Sequence, residues 1–543
     1  MMTVKTIRNP ILRGFNPDPS ICRVGQDFYI ATSTFEWYPG VQISHSKDLV
    51  NWRTLPQPLT RASQLDMRGN PDSCGIWAPA LSYADGKFWL IYTDVKRLDG
   101  NFKDAHNYLV TAENIEGPWS DPIYLNSSGF DPSLFHDADG RKYLVNVVWN
   151  HLATMGDANT RGASFFGGIL LQEYSVAEGR LVGEITNIFA GSDLGLTEAP
   201  HLMQRNGYYY LITAEGGTGY EHAVSYARSK DLLGPYQLHP QKHLVHVRDN
   251  DASPLQRTGH GQYVELEDGS VFHTFLTTRP LPGMRRSQMG RETGIAKCVW
   301  GADDWLYLEE GGTVPHLEQP APDLPERPWP APPERFEFAD MLALPPQLQW
   351  LRSPEPARLF ELTGNALRLY GRESIGSWFE QALVAARQTE WQCSAETSVK
   401  FAPDSYQQMA GLTAYYNRTQ FHYLALTMDP ATGGRALTLL SCLDWPEGRL
   451  TYPLGDMVAV PKDGAVRMKL EINRENLQFF YALEAGDWQA IGPVLDASRL
   501  SDEGVRGEHS NFTGCFVGMC AQDMTGRAQT ADFAYFEVKN REE

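Results

Sequence analysis

Acidic residues recur in short proline-containing motifs across the first two hundred positions of the chain. Asp131 stands in the motif Gly-Phe-Asp-Pro-Ser, Asp18 stands in Asn-Pro-Asp-Pro-Ser, and Glu198 stands in Thr-Glu-Ala-Pro-His. A single Asp before Pro is commonly a turn residue. Clustered carboxylates, however, repel one another, so a fold seldom gathers three of them without a reaction or a metal ion to serve. The motifs therefore predict a carboxylate-based active site.

An internal repeat positions these motifs. Five times a turn glycine precedes an aromatic-rich strand of alternating polarity, at Gly25, Gly86, Gly140, Gly207 and Gly269. Asp or Asn precedes four of these glycines, which is typical of two-residue hairpin turns. A repeat of about 60 residues has room for about four strands, so the pattern predicts an all-β fold that begins with a five-bladed β-propeller.

Equivalent positions of the repeat are expected to meet on the propeller axis. Trp77, Asp131, Glu198 and His260 each lie nine residues before their turn glycine, and Asp18 lies seven before its own. Because the innermost strand of each blade lines the central channel, we expect these five side chains to form one ring. Two carboxylates can cleave a glycosidic bond, one as proton donor to the leaving oxygen and the other by activating water or attacking carbon. A third can tune the pKa of the donor.

The motifs resemble those of the glycoside hydrolase family 43 β-xylosidases of the long two-domain type. The resemblance rests on the motifs around Asp18, Asp131 and Glu198, on Gly-Arg-Glu-Thr around Arg291, and on Phe-Thr-Gly from Phe512. It implies that Asp18 is the general base that activates water and that Glu198 is the general acid. Asp131 would orient Glu198 and raise its pKa, and the reaction would invert the anomeric carbon.

The resemblance also implies a set of substrate-binding residues. Phe35, Trp77 and Phe130 would form apolar walls around a xylose unit, although Trp77 could be core and Phe35 could pack its own loop. Arg291 would bind sugar hydroxyls or a catalytic carboxylate, with pairing to Glu292 as the alternative. His260 would lie near the bottom of the channel, as a binding, structural or calcium-associated residue.

A proline-rich stretch divides the chain. Eight prolines fall between Pro315 and Pro333, and such a segment runs extended over a surface. We expect a catalytic propeller in residues 1–314, a linker in 315–334 and a β-sandwich in 335–543, where short alternating runs are separated by turn residues. The sandwich resembles the lectin-like jelly roll of these β-xylosidases. A loop within residues 507–520 would close the pocket through Phe512, with Phe516 as the competing residue.

These observations predict an exo-acting, inverting hydrolase that releases xylose from the non-reducing ends of β-1,4-xylo-oligosaccharides, with α-L-arabinofuranosidase as a side activity. Three alternatives remain: arabinofuranosidase as the main activity, a retaining fructosidase-like enzyme, and a non-catalytic sugar-binding propeller. A retaining enzyme needs its two carboxyl groups about 5–5.5 Å apart, and an inverting one about 6.5–9.5 Å apart.

The charge and cysteine content of the chain limit which binding partners and metal sites are expected. The net charge of −19 without basic runs argues against nucleic acid and anionic membranes as partners. Seven scattered cysteines without a CxxC pair argue against a disulfide framework or a zinc site, and an N-terminus without an apolar signal core predicts a cytoplasmic enzyme. We expect no required cofactor, leave a channel calcium ion open, and expect a homodimer or homotetramer from the resemblance.

Overall fold

The computed structural model describes residues 5–153, 165–248, 250–443, 450–484, 486–504 and 511–542. Regular structure in these ranges is almost entirely β, with two short 3₁₀ helices at Pro356–Arg358 and Ala497–Arg499. Neither of them, nor any other helix in the described ranges, has the length and apolar character needed to cross a membrane.

Five antiparallel sheets form the blades of a propeller, which confirms the predicted fold of the first part of the chain. The first strands of blades 1 to 4 contact one another in succession, and Ser20–Val24 of blade 1 contacts Tyr263–Glu265 of blade 5. The strands are Ser20–Val24, Asp27–Thr32, Gln42–Ser46 and Trp52–Thr54 in blade 1; Gly75–Ala84, Lys87–Arg97, Asp104–Ala112 and Ile123–Asn126 in blade 2; Gly129–His136, Lys142–Trp149, Phe166–Ser175 and Arg180–Phe189 in blade 3; Glu198–Arg205, Tyr208–Glu215, Ala223–Ser229 and Gln237–His246 in blade 4; and Gln256–Gly259, Tyr263–Glu265, Val271–Thr278, Glu292–Trp300 and Leu306–Leu308 in blade 5.

A left-handed residue interrupts each blade at its channel end. These residues are Asp18, Ala78, Asp131, Ala199 and His260, with φ between 38° and 57°. Beside Ala78, Asp131 and Ala199 the strand register shifts, as it does in a β-bulge. Trp77 and Glu198 therefore lie one residue before the bulge position that Asp131 occupies. Counting nine residues back from each turn glycine therefore does not give structurally equivalent positions. The number of residues between the bulge and the turn glycine differs from blade to blade.

The second part of the chain is a β-sandwich of an eight-stranded and a nine-stranded sheet, as predicted. The first sheet contains Arg335–Glu337, Phe360–Leu362, Leu367–Tyr370, Gln392–Lys400, Val466–Asn473, Asn476–Leu483, Gln489–Asp496 and Thr530–Arg541. The second contains Trp37–Tyr38, Gln349–Leu351, Ala382–Arg387, Gln408–Asn417, Gln420–Met428, Arg435–Cys442, Leu450–Thr451, Val458–Ala459 and Phe516–Asp523. One of these strands, Trp37–Tyr38, comes from the propeller part of the chain.

This shared strand joins the two parts through one core. Trp37–Tyr38 pairs with Gln349–Leu351, and the Trp37 ring stacks on Phe516 with ring centroids 3.7 Å apart. Between the two parts, Glu318–Pro320 pairs with Thr6–Arg8 in a two-stranded sheet. The boundaries at residues 314 and 334 stay predictions.

Candidate active site

A cavity of about 380 Å³ opens at the channel end where the bulges lie. This volume is at the small end of ligand sites, which span roughly 300–1,000 Å³. The nine predicted site residues all line it: Asp18, Phe35, Trp77, Phe130, Asp131, Glu198, His260, Arg291 and Phe512. The structure thus brings together residues that are spread over almost five hundred positions.

The Asp18 carboxylate is held by a hydroxyl and faces two nitrogen atoms. Ser33 Oγ donates to Asp18 Oδ2 at 2.6 Å and accepts from the Ala78 N–H at 2.7 Å. Asp18 Oδ1 lies 3.7 Å from Arg291 Nη1 and 3.6 Å from His260 Nδ1. Burial lowers the pKa of His260, so its imidazole is neutral at neutral pH. A carboxylate with these neighbours is placed to take a proton from water.

Glu198 is held in its protonated form. Burial and the charge of Asp18 raise its pKa to about 8, against the opposing effects of Arg291 and Lys103. Burial, Glu198 and Asp18 also raise the pKa of Asp131, but the Ala199 N–H donates to Asp131 and favours its ionised form. We therefore assign the proton of this pair to Glu198, which can donate it to a leaving oxygen.

Arg291 is 2 % exposed and bridges the propeller and the sandwich. Its Nη2 donates to the carbonyl oxygen of Phe512, and its guanidinium carbon lies 5.2 Å from the ring centroids of Phe35 and Phe512. The alternative pairing with Glu292 is wrong, because Glu292 instead accepts from Arg279 at 2.8 Å. Among the described residues Arg291 Nε has no hydrogen-bond partner.

Four aromatic rings form one wall of the cavity. Trp77 lies 6.0 Å from Phe35, 5.6 Å from Phe130 and 5.8 Å from Phe512, between ring centroids. Phe512 comes from the sandwich and completes the wall, whereas Phe516 is fully buried in the interdomain core. The first part of the predicted closing loop, residues 507–510, lies outside the described residues.

Ser73 holds two members of this wall. Its Oγ accepts from the Phe512 N–H at 3.0 Å, and its carbonyl oxygen accepts from Trp77 Nε1 at 2.8 Å. Its own N–H donates to Glu36 Oε2 at 3.0 Å, although Ser73 has a left-handed φ of 61°. Burial raises the pKa of Glu36 to about 8. One turn therefore sets the position of both rings.

Known proteins match both parts of the chain. Residues 7–306 match the model of glycosyl hydrolases family 43. The chain belongs to this family. Residues 335–539 match the β-xylosidase C-terminal concanavalin A-like domain. Family 43 enzymes are inverting glycoside hydrolases and need no cofactor.

Several relatives in family 43 are similar to this chain over nearly the whole length of both proteins. "Xylosidase/arabinosidase 43B" of Humicola insolens is 55% identical over 98% of this chain and 97% of its own length. "Beta-xylosidase" of Bacillus subtilis (strain 168) is 48% identical over 98% of this chain and 100% of its own. The crystal structure of xylan β-1,4-xylosidase from Bacillus halodurans C-125 is 49% identical, with a TM-score of 0.94 over 98% of this chain and 100% of that one.

Sequence reasoning missed several residues of this family 43 site. Lys103 Nζ lies 4.3 Å from the Trp149 ring centroid and 5.2 Å from that of Trp77, and burial lowers the pKa of Lys103 to about 8. Trp149 stacks on Phe165 at 4.9 Å. Thr218 also lines the cavity. None of these residues lies in the motifs around Asp18, Asp131 and Glu198, so the repeat carried no signal for them.

In the part of the chain that the structure describes, no group of three or more His, Cys, Asp and Glu side chains is arranged to hold a metal ion. A calcium ion typically takes six to eight oxygen ligands, whereas His260 faces Asp18 alone among the site carboxylates within 4 Å.

Proposed function

We propose that this family 43 enzyme is an exo-acting β-xylosidase, which inverts the anomeric carbon and releases xylose from the non-reducing ends of β-1,4-xylo-oligosaccharides. The observation that carries the proposal is the gathering of three buried carboxylates and Arg291 in one small cavity. The names of the two Bacillus proteins, β-xylosidase and xylan β-1,4-xylosidase, support the substrate.

In the proposed reaction two carboxyl groups act on opposite sides of the sugar. Glu198 gives its proton to the glycosidic oxygen as the bond from that oxygen to the anomeric carbon breaks. Asp18 takes a proton from the water that attacks the opposite face, so the products are xylose of inverted configuration and a shortened oligosaccharide. We propose that Asp131, which accepts from the Ala199 N–H, stays ionised beside Glu198 and favours the protonated form of Glu198.

The aromatic wall supports exo-action. The ring centroids of Phe35, Trp77 and Phe512 lie within 6.1 Å of one another, and the three rings close one side of the cavity. A chain that continued past the reacting sugar in that direction would meet these rings. The enzyme therefore takes single sugars from a chain end.

Reaction products and variants test this function together. Proton NMR of nitrophenyl β-D-xylopyranoside hydrolysis is expected to detect α-xylose first; β-xylose as the first product would indicate a retaining enzyme. Asp18→Asn is expected to lose about 10²–10⁴-fold in kcat. An unchanged kcat in this variant would mean that Asp18 is not the general base, whereas no turnover in the unaltered chain would favour the non-catalytic alternative.

A second substrate is favoured by one relative. The Humicola insolens protein is named a xylosidase/arabinosidase, so we propose α-L-arabinofuranosidase as a side activity of the same site. Nitrophenyl β-D-xylopyranoside and nitrophenyl α-L-arabinofuranoside measure the ratio. Faster cleavage of the arabinofuranoside would reverse the assignment of main and side activity.

Three further expectations stay proposals. Activity that survives EDTA treatment would count against a functional calcium ion in the channel. Light scattering would test the expected dimer or tetramer, and fractionation of producing cells would test the cytoplasmic location.

A further inference from the structure

A buried carboxylate outside the proposed chemistry lies on the strand that pairs with the strand of Glu198. Glu215 ends the second strand of blade 4 and is 0 % exposed. Its neighbour Ala214 is the strand partner of Glu198. The two glutamates therefore stand on adjacent strands at the same end of one blade.

Four donors point at the Glu215 carboxylate. Oε1 accepts from the Ser192 N–H at 2.7 Å and from Thr197 Oγ1 at 2.9 Å. Oε2 accepts from Ser225 Oγ at 2.9 Å and from Ser192 Oγ. An ionised carboxylate has four lone-pair sites and no proton, so it is the group that satisfies all four donors.

The single hydroxyl proton of Ser225 fixes which nitrogen of His243 carries a proton. Its hydroxyl has one proton, which it donates to Glu215, and its oxygen also lies 2.8 Å from His243 Nδ1. His243 Nδ1 must then carry a proton and donate it to Ser225 Oγ. Burial lowers the pKa of His243 to about 4, so this imidazole is neutral at neutral pH.

Three of the four donors belong to the loop that leads into Glu198. Thr197 is the residue directly before Glu198, and Ser192, which supplies two donors, lies five residues before Thr197 in the same loop. The loop is tightly packed, because a Cβ on Gly191 would lie 1.9 Å from Thr197 Oγ1. Movement of the carboxylate would therefore move the backbone that aims Glu198.

We propose that Glu215 is a positioning residue for the general acid: its carboxylate fixes residues 191–197 and thereby the direction of the Glu198 side chain. This inference rests on the proposed role of Glu198. Glu215 is not among the residues that line the cavity. It acts on the reaction only through Glu198.

Substrates with different leaving groups test the proposal. Protonation by the acid matters for a sugar leaving group and little for 2,4-dinitrophenolate, which departs without a proton. Glu215→Gln keeps the side-chain volume but replaces one carboxylate oxygen by an NH₂ group. This NH₂ group faces two of the four donors and cannot accept from them. We expect kcat on xylobiose to fall about 100-fold and kcat on 2,4-dinitrophenyl β-xyloside to fall less than about threefold.

Matched variants separate the explanations. Asp48→Asn alters another buried carboxylate that accepts backbone N–H groups, from Val50 and Asn51 in blade 1, and is expected to lower both rates equally or not at all. Ser192→Ala keeps the backbone hydrogen bond to Glu215 and provides a second test in case Glu215→Gln folds poorly. It is expected to show the same pattern as Glu215→Gln, with smaller losses of kcat. Equal losses on both substrates in Glu215→Gln and Ser192→Ala, or no loss, would overturn the inference.

Glu198→Ala serves as the reference. It should lose far more rate on xylobiose than on the dinitrophenyl xyloside. If it does so and the Glu215 and Ser192 variants do not, the positioning role alone is wrong. If Glu198→Ala itself shows equal losses, the proposed role of Glu198 is wrong as well.

Discussion

At the scale of single residues, the surroundings of Glu198 set the alkaline limit of activity. Glu198 must be protonated to act, and burial with the charge of Asp18 raises its pKa to about 8. Activity is therefore expected to fall as the pH rises through about 8. A profile of kcat/KM between about pH 6 and 10 measures this alkaline limb, since it reports the free enzyme. An alkaline limb below pH 6 would contradict the assignment.

Lys103 adjusts that alkaline limb. Its positive charge lowers the pKa of Glu198, so Lys103→Met is expected to move the limb to higher pH. Loss of the cation from beside Trp77, Phe130 and Trp149 is also expected to weaken binding, with kcat/KM lower by about five- to tenfold.

The matched control is Lys96→Met, which alters a half-buried lysine on the same blade that pairs with Asp94 2.8 Å away. Its alkaline limb is expected to stay in place. An unshifted limb in Lys103→Met would mean that Lys103 does not act on Glu198.

At the scale of elements, one turn connects the sandwich to the cavity wall. Ser73→Ala removes the acceptor of the Phe512 N–H, and a buried donor without a partner costs about 1–3 kcal/mol. Phe512 is then expected to leave its place beside Trp77, so that KM for xylobiose rises about five- to 100-fold while kcat changes less. Steady-state kinetics measure the split.

A control serine lies ten residues earlier. Ser63 is exposed and donates to Asp121 at 3.0 Å, and Ser63→Ala is expected to leave both constants unchanged. A fall in kcat without a rise in KM in Ser73→Ala would argue against this role for the turn.

The blades could be predicted from sequence because their signal is local. Each turn glycine has a positive φ, between 62° and 90° at Gly25, Gly86, Gly140, Gly207 and Gly269, a conformation that glycine adopts without steric cost. The ring of acids was also within reach, since Asp18, Asp131 and Glu198 lie at or beside the bulges. Their alignment was wrong by one residue at Trp77 and Glu198, because a bulge adds a residue that no turn signal marks.

The supports of the site could not be predicted, because they depend on contacts between distant residues. The hydrogen bond from the Phe512 N–H to Ser73 joins residues 439 positions apart. Lys103 lies in a hairpin connection whose composition resembles any surface loop. The donors that face Glu36 and Glu215 are brought to them only by the fold, so the local sequence around these two residues does not mark them.

At the scale of the whole molecule, a buried guanidinium fastens the propeller to the sandwich. Arg352 is 0 % exposed and donates to Asp72 Oδ1 at 2.6 Å, to the Asn70 carbonyl oxygen at 2.8 Å and to Gln381 Oε1 at 2.8 Å. Asn70 and Asp72 lie beside blade 2, and Gln381 lies in the sandwich. Together with the shared strand Trp37–Tyr38, this arginine predicts that the two parts unfold as one cooperative unit.

Arg352→Met tests this coupling. Removing one partner of a buried ion pair costs about 3–5 kcal/mol, so the free energy of unfolding is expected to fall by that amount in a single urea transition, followed by tryptophan fluorescence. The control Arg358→Met breaks an ion pair with Glu380 in which the arginine side chain is 51% exposed, and is expected to cost less than about 1 kcal/mol. Two separate transitions in the unaltered chain would mean that the propeller and the sandwich unfold independently, and that Arg352 stabilises only its own neighbourhood.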